Sequence, residues 1–150
     1  MRILGIDFGE RRIGLALSDP TGTIAQPLDA IVRRRGKRAP VQALLERIEA
    51  NDVREIVVGL PLSLTGDDTD WTREVREFAA KLATRSGRPV HLVDERLTSV
   101  AAERAVRSLG LRRRERERKD RVDTAAAMLI LQSHLDRRQD PAADARNSLA

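Results

Sequence analysis

The chain has 150 residues, 41% hydrophobic and 34% charged, with 28 Lys+Arg against 23 Asp+Glu for a net charge of +5. This balance fits one globular domain, not a disordered or membrane-embedded chain, and the length is too short for a two-domain kinase or ATPase. The lack of cysteine excludes a disulfide scaffold and a thiolate metal site, and three aromatic residues (Phe8, Trp71, Phe78) are too few for a base-stacking single-strand platform.

In chain order, Arg2–Phe8 reads as an apolar strand ending in Asp7-Phe8-Gly9. A turn leads to residues 13–18, where Ile13, Leu15 and Leu17 alternate with small residues in the period of a half-buried strand. Asp19-Pro20-Thr21-Gly22 is turn chemistry. Residues 24–32 form a third strand, which Pro27 assigns to a sheet edge. The pattern then changes. Residues 33–38 are a basic loop, and residues 40–50 a helix with Val41, Leu44, Leu45 and Ile48 on one face. Residues 55–60, with Ile56-Val57-Val58, suit a buried parallel strand. Residues 61–68 are a loop, for which Asp68 and Asp70 are the preferred N-caps of the next helix. That helix, residues 69–86, carries Trp71, Val75, Phe78, Ala79 and Leu82 and closes at Gly87. Residues 90–93 are a short strand running into Asp94-Glu95. Residues 99–109 form a helix closed by Gly110, residues 111–121 a charged connector, and residues 122–135 the last helix, with Asp120 as its N-cap. Residues 1–137 make the domain, and 138–150 a polar tail expected to be disordered.

Three strands followed by alternating helices and strands predict an α/β fold: a five-stranded mixed sheet, three antiparallel strands plus two parallel ones, flanked by helices. Ligands in such sheets bind at the carboxyl ends of the parallel strands. Asp7 and the Asp94-Glu95 pair stand at two such ends. Asp7 follows an apolar strand, where a carboxylate is costly unless paired, hydrogen-bonded or metal-bound. Asp94 and Glu95 project to opposite faces, so one of them joins Asp7. Asp123 shares a helical face with Ala127 and Ile130 and points toward the core. Each acid also has an ordinary explanation: turn capping, a salt bridge to Arg96, or placement near a helix dipole. Together they form an oxygen-only set suited to Mg²⁺ or Mn²⁺, whereas zinc prefers His or Cys. His91 and His134 read as isolated structural residues. On a basic protein such a set suits a phosphodiester substrate, bound through backbone and shape.

Gly5-Ile6-Asp7-Phe8-Gly9, Arg12-Ile13-Gly14-Leu15-Ala16 with Ser18-Asp19, Val58-Gly59-Leu60-Pro61, Asp94-Glu95-Arg96-Leu97-Thr98-Ser99, and Val122-Asp123 with Ala125-Ala126 form an ordered set of motifs. Together they resemble the YqgF/RuvX family of the ribonuclease H-like superfamily. The resemblance runs to about Leu135. It implies a ribonuclease H-like sheet and a metal-dependent nuclease, a hydrolase of phosphodiester bonds. It assigns catalysis and metal binding to Asp7, Glu95 and Asp123, selecting Glu95 over Asp94. It makes Arg12 and Arg96 candidates for phosphate contact or for ordering the acids. Family members are described as Holliday-junction resolvases and as nucleases processing the 5′ end of pre-16S ribosomal RNA, the second being the better general assignment.

Residues 112–121, RRRERERKDR, carry seven cations and three acids. Arg112, Arg113 and Arg114 would guide a phosphate backbone to the adjacent Asp123, with a solvated charged loop the equal alternative. Residues 61–70 are a candidate lid. Two other readings compete. An actin-like or sugar-kinase ATPase needs a second domain, and a non-catalytic nucleic-acid module does not need the acids. The expected partner is nucleic acid, pre-rRNA or branched DNA. Monomer and homodimer both stay open, although a resolvase cutting two symmetric strands should be a dimer. The longest apolar run, residues 125–131, falls far short of the ~20 residues of a membrane span. The N-terminus lacks the pattern of a secretory signal, so the expected compartment is the cytoplasm.

Overall fold

The computed structural model describes residues 2–34, 38–98 and 115–139, with side chains in the last span from residue 125 onward. Its centre is a five-stranded sheet in the order β3-β2-β1-β4-β5. Strands β1 (Arg2–Phe8), β2 (Arg12–Ser18) and β3 (Ala25–Val32) form the expected antiparallel meander. Strand β4 (Val53–Leu60) lies parallel to β1, and β5 (Val90–Asp94) parallel to β4. Pro27 does stand on an edge strand, where its missing N–H costs no central ladder bond. The preceding turn is held by Asp19, whose carboxylate accepts the Ile24 and Thr23 amides at 2.9 and 2.8 Å; these and a Thr21 hydroxyl bond bring its pKa down to about 2.

Alternation along β1 and β4 sorts the core into two layers. Leu4, Ile6 and Phe8, with Ile56, Val58 and Leu60, pack beneath helices α1 (Val41–Ala50) and α2 (Asp70–Ser86). All three aromatic side chains of the protein meet there. Phe8 stacks on Phe78 at 4.0 Å and on Trp71 at 5.5 Å, fixing the end of β1 to α2. The opposite face carries Ile3 and Val57 and is covered by helix α3 (Glu115–Gln139) through Ala126, Ala127, Ile130, Leu131 and Leu135.

Two sequence expectations about helix starts need correction. Thr69, not Asp68 or Asp70, caps α2: its hydroxyl accepts the Thr72 amide at 3.1 Å, and the Thr72 hydroxyl in turn accepts the Thr69 amide at 3.0 Å. Asp68 instead pairs with Arg76 at 2.8 Å, and Asp70 with Arg73. The last helix begins at Glu115 rather than Val122, so Asp120 lies inside it and most of the charged connector is helical. Arg, Glu and Lys are good helix formers, and a charged face needs no core contact to stay helical. The helix also extends through Arg138 and Gln139, into the segment assigned to the tail. The expected helix at 99–109 lies outside the described residues.

α3 rests directly on β1. A Cβ added to Gly5 would sit 2.7 Å from Leu131 Cβ and 3.1 Å from the Ala127 carbonyl oxygen. Neither neighbour is a flexible chain end. Gly5→Ala is therefore expected to lose about 1–3 kcal/mol of stability, the usual overpacking cost. The check is a lower urea midpoint at an unchanged slope; an unaltered midpoint would show that α3 does not press on β1.

Candidate active site at the carboxyl ends of the strands

Asp7 is the next-to-last residue of β1 and only 2% exposed. Ile6 and Phe8 face α1 and α2, so alternation turns Asp7 to the α3 face with Ile3 and Gly5. The turn behind it is braced by Arg33, which donates to the Gly9 carbonyl at 2.8 Å and lies 4.6 Å over the Phe8 ring. In sequence Arg33 was one cation of a basic loop; nothing there signalled this role.

Asp94 and Glu95 are both buried, and the structure separates their tasks. Val93 faces α3, so Asp94 faces the other way. There it accepts the Arg96 amide at 2.9 Å, Arg96 Nε at 3.1 and 3.0 Å, and Arg96 Nη2 at 2.7 Å. Burial pushes the Asp94 carboxyl up, but the Arg96 bonds and charge outweigh it and hold the pKa below its ordinary value. Glu95 opens a 3₁₀ turn, Glu95–Leu97, and its side chain lies over the α3 face. Gly59 of β4 makes the room. A Cβ there would stand 2.9 Å from Glu95 Oε1 and 2.5 Å from Ile130 Cδ1. The β1–β4 register pairs Ile6 with Val58, so one residue further on Asp7 stands beside Gly59. The Glu95 carboxylate thus lies over the strand next to Asp7, with neighbouring strands about 4.8 Å apart.

The remaining expected residues divide. Asp123 lies in the helical backbone of α3, one turn before Ala127, and its side chain is outside the described residues. The later turns of α3 sit where β1 and β4 begin, as the Arg138–Glu55 pair shows, so its course toward Asp123 leads to the carboxyl ends of those strands. Arg12 starts β2, half-buried, in register with Val32. Arg96 is committed to Asp94, and its Nη1 also reaches the Leu64 carbonyl at 3.4 Å. It therefore ties the 61–70 loop to β5 and holds the Asp94 carboxylate. That loop is further closed by the Asp67 amide donating to Ser63 Oγ at 3.0 Å and by Thr72 Oγ1 donating to the Pro61 carbonyl. Arg112, Arg113 and Arg114 lie outside the described residues.

The histidines are not isolated. His91 and His134 stack with centroids 5.1 Å apart, and His91 Nε2 lies 3.5 Å from Glu55. Sequence reading missed this because the three residues belong to separate elements and only the packing of α3 unites them.

Comparison with known proteins gives a consistent picture. A family model described as RuvX, Holliday junction resolvase, matches residues 1–137. A Koribacter versatilis protein named "Putative pre-16S rRNA nuclease" is 50% identical over 137 residues, covering 91% of this chain and 88% of its own. A Maridesulfovibrio salexigens protein of the same name is 49% identical over 137 residues, covering 91% and 99%. Among solved structures, Thermus thermophilus RuvC in complex with a Holliday junction substrate superimposes with a TM-score of 0.57 at 17% identity, covering 93% of this chain and 97% of that one. At that identity the likeness concerns the fold, the expected ribonuclease H-like sheet.

The Asp94–Arg96 clamp predicts an acid-side signature. The folded pKa of Asp94 lies below its unfolded value of about 3.9. The carboxylate therefore stabilises the fold fully above that value, and this contribution is lost as pH falls through the folded pKa. Asp94→Asn cannot titrate, so its urea midpoint should be lower at neutral pH and fall less steeply on acidification than that of the wild type. Parallel curves would contradict the clamp.

Proposed function

The chain belongs to the RuvX family, and from that premise we propose that it is a metal-dependent nuclease that cuts structured nucleic acid at the 5′ end of pre-16S rRNA. The observation that carries the reading is the pair of buried carboxylates, Asp7 and Glu95, on one face of the sheet across the bare Gly59. Two carboxylates side by side repel one another, and a cation shared between them relieves that repulsion. We assign Asp7, Glu95 and Asp123 as the residues that hold Mg²⁺ or Mn²⁺. An all-oxygen donor set fits these hard cations. When bound, such ions lower the pKa of an attacking water and stabilise the departing oxygen of the phosphodiester.

The chain's own residues do the rest. Asp7 is fixed by the aromatic stack behind β1, and Glu95 by the 3₁₀ turn, so both present their oxygens without rearrangement. Arg12 meets the nucleic-acid backbone beside Asp7. Arg96 acts through Asp94 as a positioning residue. Arg112, Arg113 and Arg114 lead the phosphates toward Asp123, and such a substrate places the enzyme in the cytoplasm. The description of the family model favours a second reading, cleavage of four-way DNA junctions, for which the chain should act as a dimer.

The deciding assay offers pre-16S RNA ends and four-way DNA junctions to one preparation with Mg²⁺ and with Mn²⁺. RNA should be cut; cleavage of the junction alone would support the second reading. Asp7→Asn and Glu95→Gln should each lower cleavage by more than about 100-fold, since even an outer-shell partner of a metal is worth about 10–100-fold, while binding and melting temperature stay near wild type. Normal cleavage by both variants would overturn the assignment, and wild-type binding without cleavage would identify a non-catalytic module.

The basic run makes a separate prediction. Reversing the charge of Arg112, Arg113 and Arg114 should weaken nucleic-acid binding and flatten its logarithmic salt dependence by about 0.7–0.9 per lost phosphate contact. An unchanged slope would mean that the run is only solvated.

A further inference from the structure

The Glu55, His91 and His134 cluster lies at the other end of the same sheet face. Glu55 is near the start of β4, His91 is the second residue of β5, and His134 is on α3. One ligand atom from each falls within 4.8 Å of the others. His91 Nε2 and Glu55 Oε2 are 3.5 Å apart. Two ligands each about 2.0–2.1 Å from a tetrahedral zinc ion would be separated by roughly 3.3 Å. The donor set differs in kind from the acids at the opposite end. Two imidazoles and one carboxylate suit a borderline transition ion and suit Mg²⁺ poorly. From Glu55 to Gly59 is four residues of strand, about 13 Å, so the two sites are separate.

We propose that Glu55, His91 and His134 form a Zn²⁺ site, with the fourth position left to water. The ion would join β4, β5 and α3, three elements otherwise held at this end by packing and ion pairs. Arg138 now occupies the carboxylate: its Nη1 lies 2.8 Å from Glu55 Oε2. Zinc bound at that oxygen competes with it for the carboxylate. Arg138 is therefore a competitor for the site, and its removal should tighten binding, the reverse of what removing a ligand does. His91 is about half exposed, so its substitution tests the site without opening the core.

The experiment is equilibrium dialysis of the full chain against Zn²⁺ in millimolar excess of Mg²⁺, with Co²⁺ absorption as a readout of geometry. The wild type and Asp7→Asn should each retain one zinc per chain, and bound Co²⁺ should give the intense visible bands of a tetrahedral, nitrogen-ligated ion. His91→Gln and Glu55→Gln should weaken zinc binding more than about tenfold, and Arg138→Gln should strengthen it. Zinc should also raise the melting temperature of the wild type but not of His91→Gln. No retained zinc, or zinc lost in Asp7→Asn but kept in His91→Gln, would overturn the proposal. So would weak, octahedral-type Co²⁺ bands, a reading that needs no variant to fold.

Discussion

The close seating of α3 on the sheet is the constraint on which the rest depends. Gly5 and Gly59 leave a strip of bare backbone on the α3 face. Leu131, Ala127 and Ile130 fill the space that two side chains would take. A helix kept one side chain further out would still bury apolar surface, but it would leave the end of β1 open. Seated as it is, α3 packs on the bare backbone of β1 and β4, and its course carries Asp123 toward their carboxyl ends. Gly59 serves twice, since the space it spares is shared by Ile130 and by the Glu95 carboxylate. Packing and site geometry are therefore one feature.

The adjacent acids Asp94 and Glu95 show how a strand end separates scaffold from chemistry. Backbone alternation sends them to opposite faces. Asp94 is tied up by a fork of hydrogen bonds from Arg96, which also reaches the 61–70 loop. That clamp holds the first residues of the 3₁₀ turn after β5, next to the point where Glu95 turns to the α3 face. The buried charge of Asp94 is matched within two residues of sequence by Arg96.

Much of this was legible in the residues. The alternation of Ile13, Leu15 and Leu17, Pro27 at an edge and the unbroken Ile56-Val57-Val58 run pointed to an antiparallel meander joined to parallel strands, because period and burial are local signals. Opposite faces for Asp94 and Glu95 also followed from period alone, although their roles required the family resemblance. Other features were hidden for identifiable reasons. Thr69 does not stand out as the cap, because Asp68 and Asp70 flank it and are equally good caps in isolation. The charged run from Glu115 looks like a connector, because charge signals solvent contact and says little about backbone conformation. The approach of His91, His134 and Glu55 depends on how α3 crosses the sheet, which no local pattern encodes.

The central claim is that Asp7, Glu95 and Asp123 hold one divalent site at the carboxyl ends of β1 and β5. The most direct measurement is anomalous scattering from crystals soaked in Mn²⁺. A peak is expected within about 2.0–2.3 Å of carboxylate oxygens from all three residues, as hard cations require. A peak on Asp94, or an Asp123 carboxylate turned away from Asp7 and Glu95 with the ion bound elsewhere, would contradict it.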